Sequence, residues 1–395
     1  MTTADEPLAY PFNNESGLAL DEAYAAAREV DGMVRVRMTY GEPAWLATRF
    51  ADVRQVLGDT RFSRALAAEH DEPRLSPYQL NTGILSMDPP DHTRLRTLVA
   101  KAFTVRRVEQ LRPRVRELAG ELVDDLMAAG PPADLVDLFA LPLPVAVICE
   151  LLGVPTSDRP RFRVWSDASL STSSLTAEEQ MANREELRDY MHGLIESHRV
   201  TPADDLMTAL IEARDVRDRL SELELIDLCN GILVAGHETT ASQIPNFVYV
   251  LLGQRERWAQ LRDNPDLIPA AVEELLRYVP LAAAAAFPRF AKEDIKVGNV
   301  VVRAGEAVLV SVGSANHDAL QFEAPGDVKF DRENTSHLGL GHGVHHCLGA
   351  PLARVELQEA LRVLVARLPN LYVAGDITWK TAMLVRGPRM MPVGW

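Results

Sequence analysis

Apolar residues fall mostly at helical spacing along this chain, with a few short stretches at strand spacing. Val34–Met38 and Trp45–Thr48 are extended runs flanking the turn Tyr40-Gly41-Glu42-Pro43, which predicts a hairpin. A short helix follows over Ala51–Leu57. Ser63–Pro90 keeps no period and contains Pro73, Pro77, Pro89 and Pro90. A long irregular stretch inside a compact domain is usually functional. The helical pattern returns at Thr93 and runs through Met127, interrupted near Thr104. Further helices are predicted over Pro144–Leu152, Asp158–Leu170, Ala177–His198, Asp204–Ala213 and Pro269–Tyr278. The longest candidate is Ser221–Leu252. Ser221 and Glu224 stand at capping-box spacing, and its apolar character is nearly all-round (Leu228, Ile232, Leu233, Val234, Phe247, Val248, Leu251). Such a helix belongs in the core of a large domain. The period shifts toward strands between Phe287 and Val312, with Val300–Val302 and Ala307–Val312 separated by the Ala304-Gly305 turn. A last amphipathic helix follows Cys347 to about Leu368.

Two places break this pattern. Ala235-Gly-His-Glu-Thr-Thr240 puts a glycine and paired threonines in the middle of the longest helix, against local propensity. Such conflicts tend to mark functional sites. Either Gly236 allows close packing and the hydroxyls bond back to the preceding turn, or the helix widens into a groove for a small ligand. In the second case Glu238 and Thr239 supply a carboxylate and a hydroxyl for moving protons. Pro245, further along, removes one N–H and should free the Ala241 carbonyl. The second place is Cys347, in a glycine-rich stretch with Gly339, Gly341, Gly343 and Gly349 that runs into the last helix. Glycines let a backbone pass close to a flat cofactor. A cysteine at a helix start is expected to be held as thiolate by the free N–H groups. A thiolate is one of the few protein groups that ligate haem iron.

Leu340-Gly-His-Gly-Val-His-His-Cys-Leu-Gly349 resembles the haem-binding signature of the cytochromes P450, Phe-Gly-x-Gly-x-His/Arg-x-Cys-x-Gly, with Leu340 in place of Phe. The resemblance runs from about Tyr10 to the C-terminus. It is strongest toward soluble actinobacterial members that tailor macrolides and other polyketides. It implies a mainly α, single-domain P450 fold with a small β portion, the long central helix over the haem and the thiolate loop below it. It also implies haem b ligated by Cys347, with Gly341 and Gly349 in the loop beside it. Glu238 and Thr239 match the family's proton-handling pair. His92 and Arg96 at the start of a helix, with Arg289 and His345, match its partners for the haem propionates. Glu274 and Arg277 match its Glu-x-x-Arg pair, a structural network beneath the haem. Pocket walls by the same likeness are Leu85, Val234, Ala235, Ala285, Phe287, Met383 and Leu384. The small side chains of Leu281–Ala286 suit a wide apolar cavity.

The implied activity is a monooxygenase that hydroxylates or epoxidises a bulky, mostly apolar natural product. Electrons would come from NAD(P)H through a ferredoxin and its reductase, because the chain shows no flavin or iron–sulfur segment. A peroxide-using peroxygenase and a non-catalytic haem sensor or carrier are the alternatives. The acid–alcohol pair favours dioxygen over both.

Length and charge narrow the picture further. The chain has 395 residues and no Ser/Gly linker, low-complexity tract or internal repeat, so one large domain is expected. A net charge of −15 argues against nucleic acid as partner. Within it, Lys101, Arg106, Arg107, Arg112, Arg114 and Arg116 form a basic run, either a solvated helix face or a docking patch for an acidic electron donor. Met1–Tyr10 lacks the marks of a signal peptide and no run is long enough to cross a bilayer, so a cytoplasmic location is expected. Cys149 and Cys229 sit in apolar helical stretches and read as packing residues. Leu340 should loosen packing at the sulfur side of the haem and alter its potential. His317 and Ala319, where many relatives carry Arg and Pro, should have only structural consequences.

Overall fold

The computed structural model describes residues 6–13, 17–30, 32–79, 83–172, 175–217 and 219–395. Helices dominate: α1 Glu22–Glu29, α2 Phe50–Gly58, α3 Asp91–Ala100, α4 Val105–Ala129, α5 Pro142–Leu152, α6 Arg159–Leu170, α7 Ala177–Val200, α8 Leu206–Asp215, α9 Glu222–Leu252, α10 Arg255–Asp263, α11 Ile268–Tyr278, α12 Val312–Ala315 and α13 Ala350–Arg367. Helix α9 begins where its cap predicted. The Ser221 hydroxyl accepts from the Glu224 N–H at 3.2 Å, and the Glu224 carboxylate accepts from the Ser221 N–H at 2.7 Å. It packs against α5, α7, α10 and α13. Cys149 on α5 and Cys229 on α9 are both fully buried in this helical core. Burial pushes the Cys229 thiol up to about 12, which keeps it an inert packing group.

Gly236 has a packing role. A Cβ there would lie 2.6 Å from Ile148 Cδ1, so its absence lets α9 close on α5. The helix runs unbroken through Gly236 and Pro245. As in the close-packing alternative, the Thr239 hydroxyl donates to the Ala235 carbonyl at 3.1 Å, back to the preceding turn.

The predicted hairpin forms, with Val34 opposite Leu46. It belongs to a six-stranded sheet ordered Leu8–Ala9, Val34–Arg37, Ala44–Ala47, Ala307–Val310, Arg289–Ala291, Phe62–Ser63. The two strands predicted around Ala304-Gly305 enter different sheets. Val300–Val302 pairs with Ile295–Val297, whereas Ala307–Val310 runs beside Ala44–Ala47 and Arg289–Ala291. The irregular stretch 63–90 carries two short 3-10 turns, Ala65–Glu69 and Gly83–Ser86; residues 80–82 lie outside the described set.

Half of the basic run is structural. Arg112 and Arg116 on α4 reach the fully buried Glu359 on α13 at 2.7 and 2.6 Å. Arg114 pairs with Glu117 and Glu150. These arginines neutralise a buried acid and tie helices together, while Arg114 and Arg116 keep part of their side chains exposed. Lys101, Arg106 and Arg107 remain as exposed cations.

Candidate active site

The cysteine loop is held from behind by two ionic networks. In the first, Arg277 and Glu274, both almost fully buried, meet at 2.7 and 2.8 Å. Arg277 also donates to the carbonyls of Asn316, Pro325 and Asp327, and Arg332 adds a second cation to Glu274 at 2.9 Å. The Asn316 side chain then accepts the Leu338 N–H at 2.8 Å, which carries the network into the loop. In the second, Glu273 takes Arg354 at 2.7 and 2.9 Å and His337 Nε2 at 3.2 Å. His337 Nδ1 accepts the Gly339 N–H at 3.0 Å, so its Nε2 carries the proton. Burial works to raise the Glu273 carboxyl, but the His337 and Arg354 contacts outweigh it and bring it to about 2. Arg332, Glu273, His337 and Arg354 escaped the sequence reading because nothing local marks a long-range ionic partner.

Within the loop, the Cys347 N–H donates to the Leu340 carbonyl at 2.8 Å and the Gly341 N–H to Leu338 at 2.8 Å. Gly341 and Gly343 have φ of +78° and +71°, a region that favours glycine. A Cβ at Gly343 would lie 2.3 Å from the Leu57 carbonyl at the end of α2. Gly349 caps α13. Leu340 is half-buried against the helical core. Cys347 itself is half-buried. Burial raises its thiol by more than the Gly349 N–H, Arg96 and Arg354 lower it. In the absence of a metal, burial thus favours the thiol form at the helix start. A bound metal would have to complete the deprotonation.

Two buried arginines and two imidazoles gather beside the loop. His92 at the start of α3 lies against His345, ring centroids 4.4 Å apart. Arg289 and Arg64 are 7% and 4% exposed. Burial lowers both guanidinium groups to about 10, and Arg64 adds to the effect on Arg289. Burial, with His92, Arg289 and Arg64 nearby, drives the His345 imidazole down to about 3. Glu72 and Asp88 both act on Arg64, and Asp88 is already engaged by Ser63, the Arg64 N–H and Lys292. His92 Nδ1 is buried and has no hydrogen-bond partner among the described residues. Arg96 fastens α3 to the loop by donating to the His346 carbonyl at 2.7 Å. Arg64 joins this group from the aperiodic stretch, where no local pattern marks it.

Helix α9 opens along one face. Gly231 and Ala235 are exposed and Thr239 is half-buried at successive four-residue steps, although their neighbours on the helix are mostly buried. A Cβ at Gly231 would meet nothing. Glu238 is 3% exposed and forms an ion pair with Lys380. Glu356 on α13, missed in the sequence, is fully buried beside Thr240. Neither of its oxygens has a well-formed hydrogen bond among the described residues, and burial lifts it to about 8 while Thr240 tempers the shift. The wall residues divide. Leu85 and Ala235 are exposed, and Val234, Phe287 and Leu384 are half-buried. Arg64 lies over the Phe287 ring, at 5.1 Å from its centroid. Ala285 is packed into the core near Tyr10 and Phe290, and Met383 is also buried, so neither presents open surface.

An open helix face, a glycine-cleared cysteine loop and a cluster of buried arginines and imidazoles suit a flat macrocycle with one metal and two carboxylates. The chain matches the family model Cytochrome P450 over residues 154–368. It is 55% identical over 396 residues to the mycinamicin IV hydroxylase/epoxidase of Micromonospora griseorubida, covering all of both chains. It is 50% identical over 398 residues to the nocardicin C N-oxygenase of Nocardia uniformis subsp. tsuyamanensis, again covering both completely. Among solved structures it is similar to HinD crystallised with NMFT and NO, at a TM-score of 0.96 and 48% identity, covering 99% of this chain and 100% of that one. The mixed-function P450 MycG in its P21 form gives 0.92 at 55% identity, with the same coverage. No helix among the described residues is long and apolar enough to cross a membrane. Over a mainly helical scaffold with small sheets, these likenesses agree with the cysteine loop: the chain belongs to the cytochrome P450 family and is a P450 monooxygenase.

Proposed function

We propose that this monooxygenase hydroxylates or epoxidises a bulky, mostly apolar macrolide or related polyketide in secondary metabolism. We further propose that a ferredoxin and its reductase bring the electrons from NAD(P)H. Cys347 would hold the iron of haem b, with Gly341 and Gly349 keeping the loop close to it. His92, Arg96, Arg289 and His345, joined by Arg64, would meet the two propionates. Bound haem supplies one-electron chemistry and dioxygen activation.

The observation that carries the reading is the placement of Thr239 on the open face of α9 with Glu238 next to it, buried. Thr239 can present a hydroxyl to a guest in the cavity, and Glu238 can pass protons to it from the interior. Exposed Leu85 and Ala235 and half-buried Val234, Phe287 and Leu384 offer mostly apolar walls. Ala285 and Met383 would act one layer behind them. Full-length identity to a mycinamicin oxidase supports the macrolide class. Titrating the haem-loaded protein with mycinamicin IV and with nocardicin C tests it. A saturable absorbance shift with the macrolide is expected. A shift with nocardicin C alone would replace the substrate class.

A further inference from the structure

Lys380 stands outside every motif in the sequence, yet it makes a buried contact at the centre of the molecule. Its side chain is 7% exposed and its ammonium touches Glu238 Oε1 and donates to Ser242 Oγ at 2.9 Å. Glu238 therefore faces Lys380 and Ser242, whereas Thr239, the next residue, faces the open side of α9. The carboxylate that would feed protons to Thr239 is restrained on the neighbouring face of the same helix.

The segment that carries Lys380 is itself tied on both sides. The Lys380 N–H donates to the Gly387 carbonyl at 2.9 Å, closing a loop over residues 380–387. Asn246 on α9 donates to the Arg386 carbonyl at 3.1 Å, a second tether to the same helix. One edge of the loop pairs with the end of α6: Thr172 donates to Ala382 at 2.8 Å, and Leu384 to the Leu170 carbonyl at 2.9 Å. The other edge pairs with the alanine run: Ala283 donates to Leu384 at 3.0 Å, and Arg386 to the Leu281 carbonyl at 2.7 Å. Ala382 turns the loop with φ +53°, a strained conformation for a residue with a side chain. One short segment thus joins the end of α6, a stretch of the pocket wall and the acid on α9.

We propose that Lys380 is a positioning residue for Glu238, fixing where the carboxylate points and coupling that position to loop 380–387. This rests on the monooxygenase reading above. Lys380 touches neither haem nor substrate in this scheme. With Lys380 engaged, Glu238 stays on the ammonium. When the loop shifts, the carboxylate is released toward Thr239, takes a proton from solvent and passes that proton to the hydroxyl chain, returning to the carboxylate. An ion pair of this kind must be broken for the acid to work, and breaking it by removing one partner leaves a buried charge unmatched.

A double-mutant cycle of Lys380→Met and Glu238→Gln in the haem-loaded protein tests the coupling, read first as thermal unfolding and then as product and peroxide per NADPH. Turnover would use a ferredoxin and its reductase, with mycinamicin IV as probe. Lys380→Met alone should unfold at lower temperature than the double variant, because only the single variant strands Glu238. It should lower product per NADPH by about tenfold, with peroxide rising to match and substrate affinity nearly unchanged. Lys380→Arg should restore most of the coupling. In the Glu238→Gln background, removing Lys380 should change little. Additive losses in both readouts, or a loss confined to substrate affinity, would overturn the proposal. Should Lys380→Met not fold, the arginine and double variants still decide it: loss of coupling in Lys380→Arg equal to that in the double variant would overturn it. A protein that takes up no haem would instead sink the monooxygenase reading itself.

Discussion

The two sides of the cysteine loop treat charge in opposite ways. Behind it, each buried ion has a partner: Glu274 faces Arg277 and Arg332, and Glu273 faces Arg354 and His337. In front of it, Arg64 and Arg289 lie buried beside His92 and His345, with Asp88 already engaged and Glu72 acting on Arg64; on α13, Glu356 lies buried without an ion partner among the described residues. Burying an unmatched charge is costly, and a fold keeps such groups where something else supplies the missing partner or where a proton must be held. The matched side builds the loop. The unmatched side is the seat of a ligand and of proton traffic.

The largest effect should come from the matched side. Arg277→Ala would leave Glu274 buried against a single cation and strip the Asn316 and Pro325 carbonyls of their donor, costing about 3–5 kcal/mol of folding stability. Denaturant unfolding checks this, and a loss below about 1 kcal/mol would mean the network is ornamental. On the unmatched side the outcome should reverse. Arg289→Gln removes a buried charge that lacks a partner, so the haem-free protein should be as stable as the parent or more so. Haem should nonetheless dissociate at least about tenfold faster, the loss of one charge-assisted hydrogen bond. Transfer of haem to an apo-globin acceptor reads the rate, and equal rates in both proteins would remove Arg289 from the seat. The smallest effect is a pH dependence. The Glu356 carboxyl stands at about 8 in the fold against 4.5 ordinarily, because burial favours its neutral form. The unfolded chain then sheds the proton at lower pH than the fold does. The stability this group contributes is complete below pH 4.5 and declines as the pH rises to about 8. Glu356→Gln should flatten the stability profile across that window by an amount on the order of a few kcal/mol. A variant profile parallel to the parent's would contradict it.

What could be read from the sequence follows how local each signal is. The Ser221–Glu224 cap and the all-round apolar face marked α9 to within a residue, because both live within the helix. Helix α10 gave no comparable pattern, since only Trp258 and Leu261 of its nine residues are buried among charged neighbours. The C-terminal strands are two or three residues long and pair with distant segments, so no period could develop. The motif residues Cys347, Glu238, Thr239 and Arg277 were legible through the family likeness. Their partners Lys380, Arg64, Arg332 and Glu273 were not, because each acts on a motif from far along the chain. The structural role of Arg112 and Arg116 was hidden for the same reason: the fold brings a buried acid, Glu359, to meet them.

The most direct test of the account is the absorbance spectrum of the reduced protein under carbon monoxide. The red-shifted band of sulfur ligation is predicted for the parent, and its loss for Cys347→His even where that variant still takes up haem. A parent protein that binds haem without that band, or a Cys347→His variant that keeps it, would show that the iron sits on another ligand.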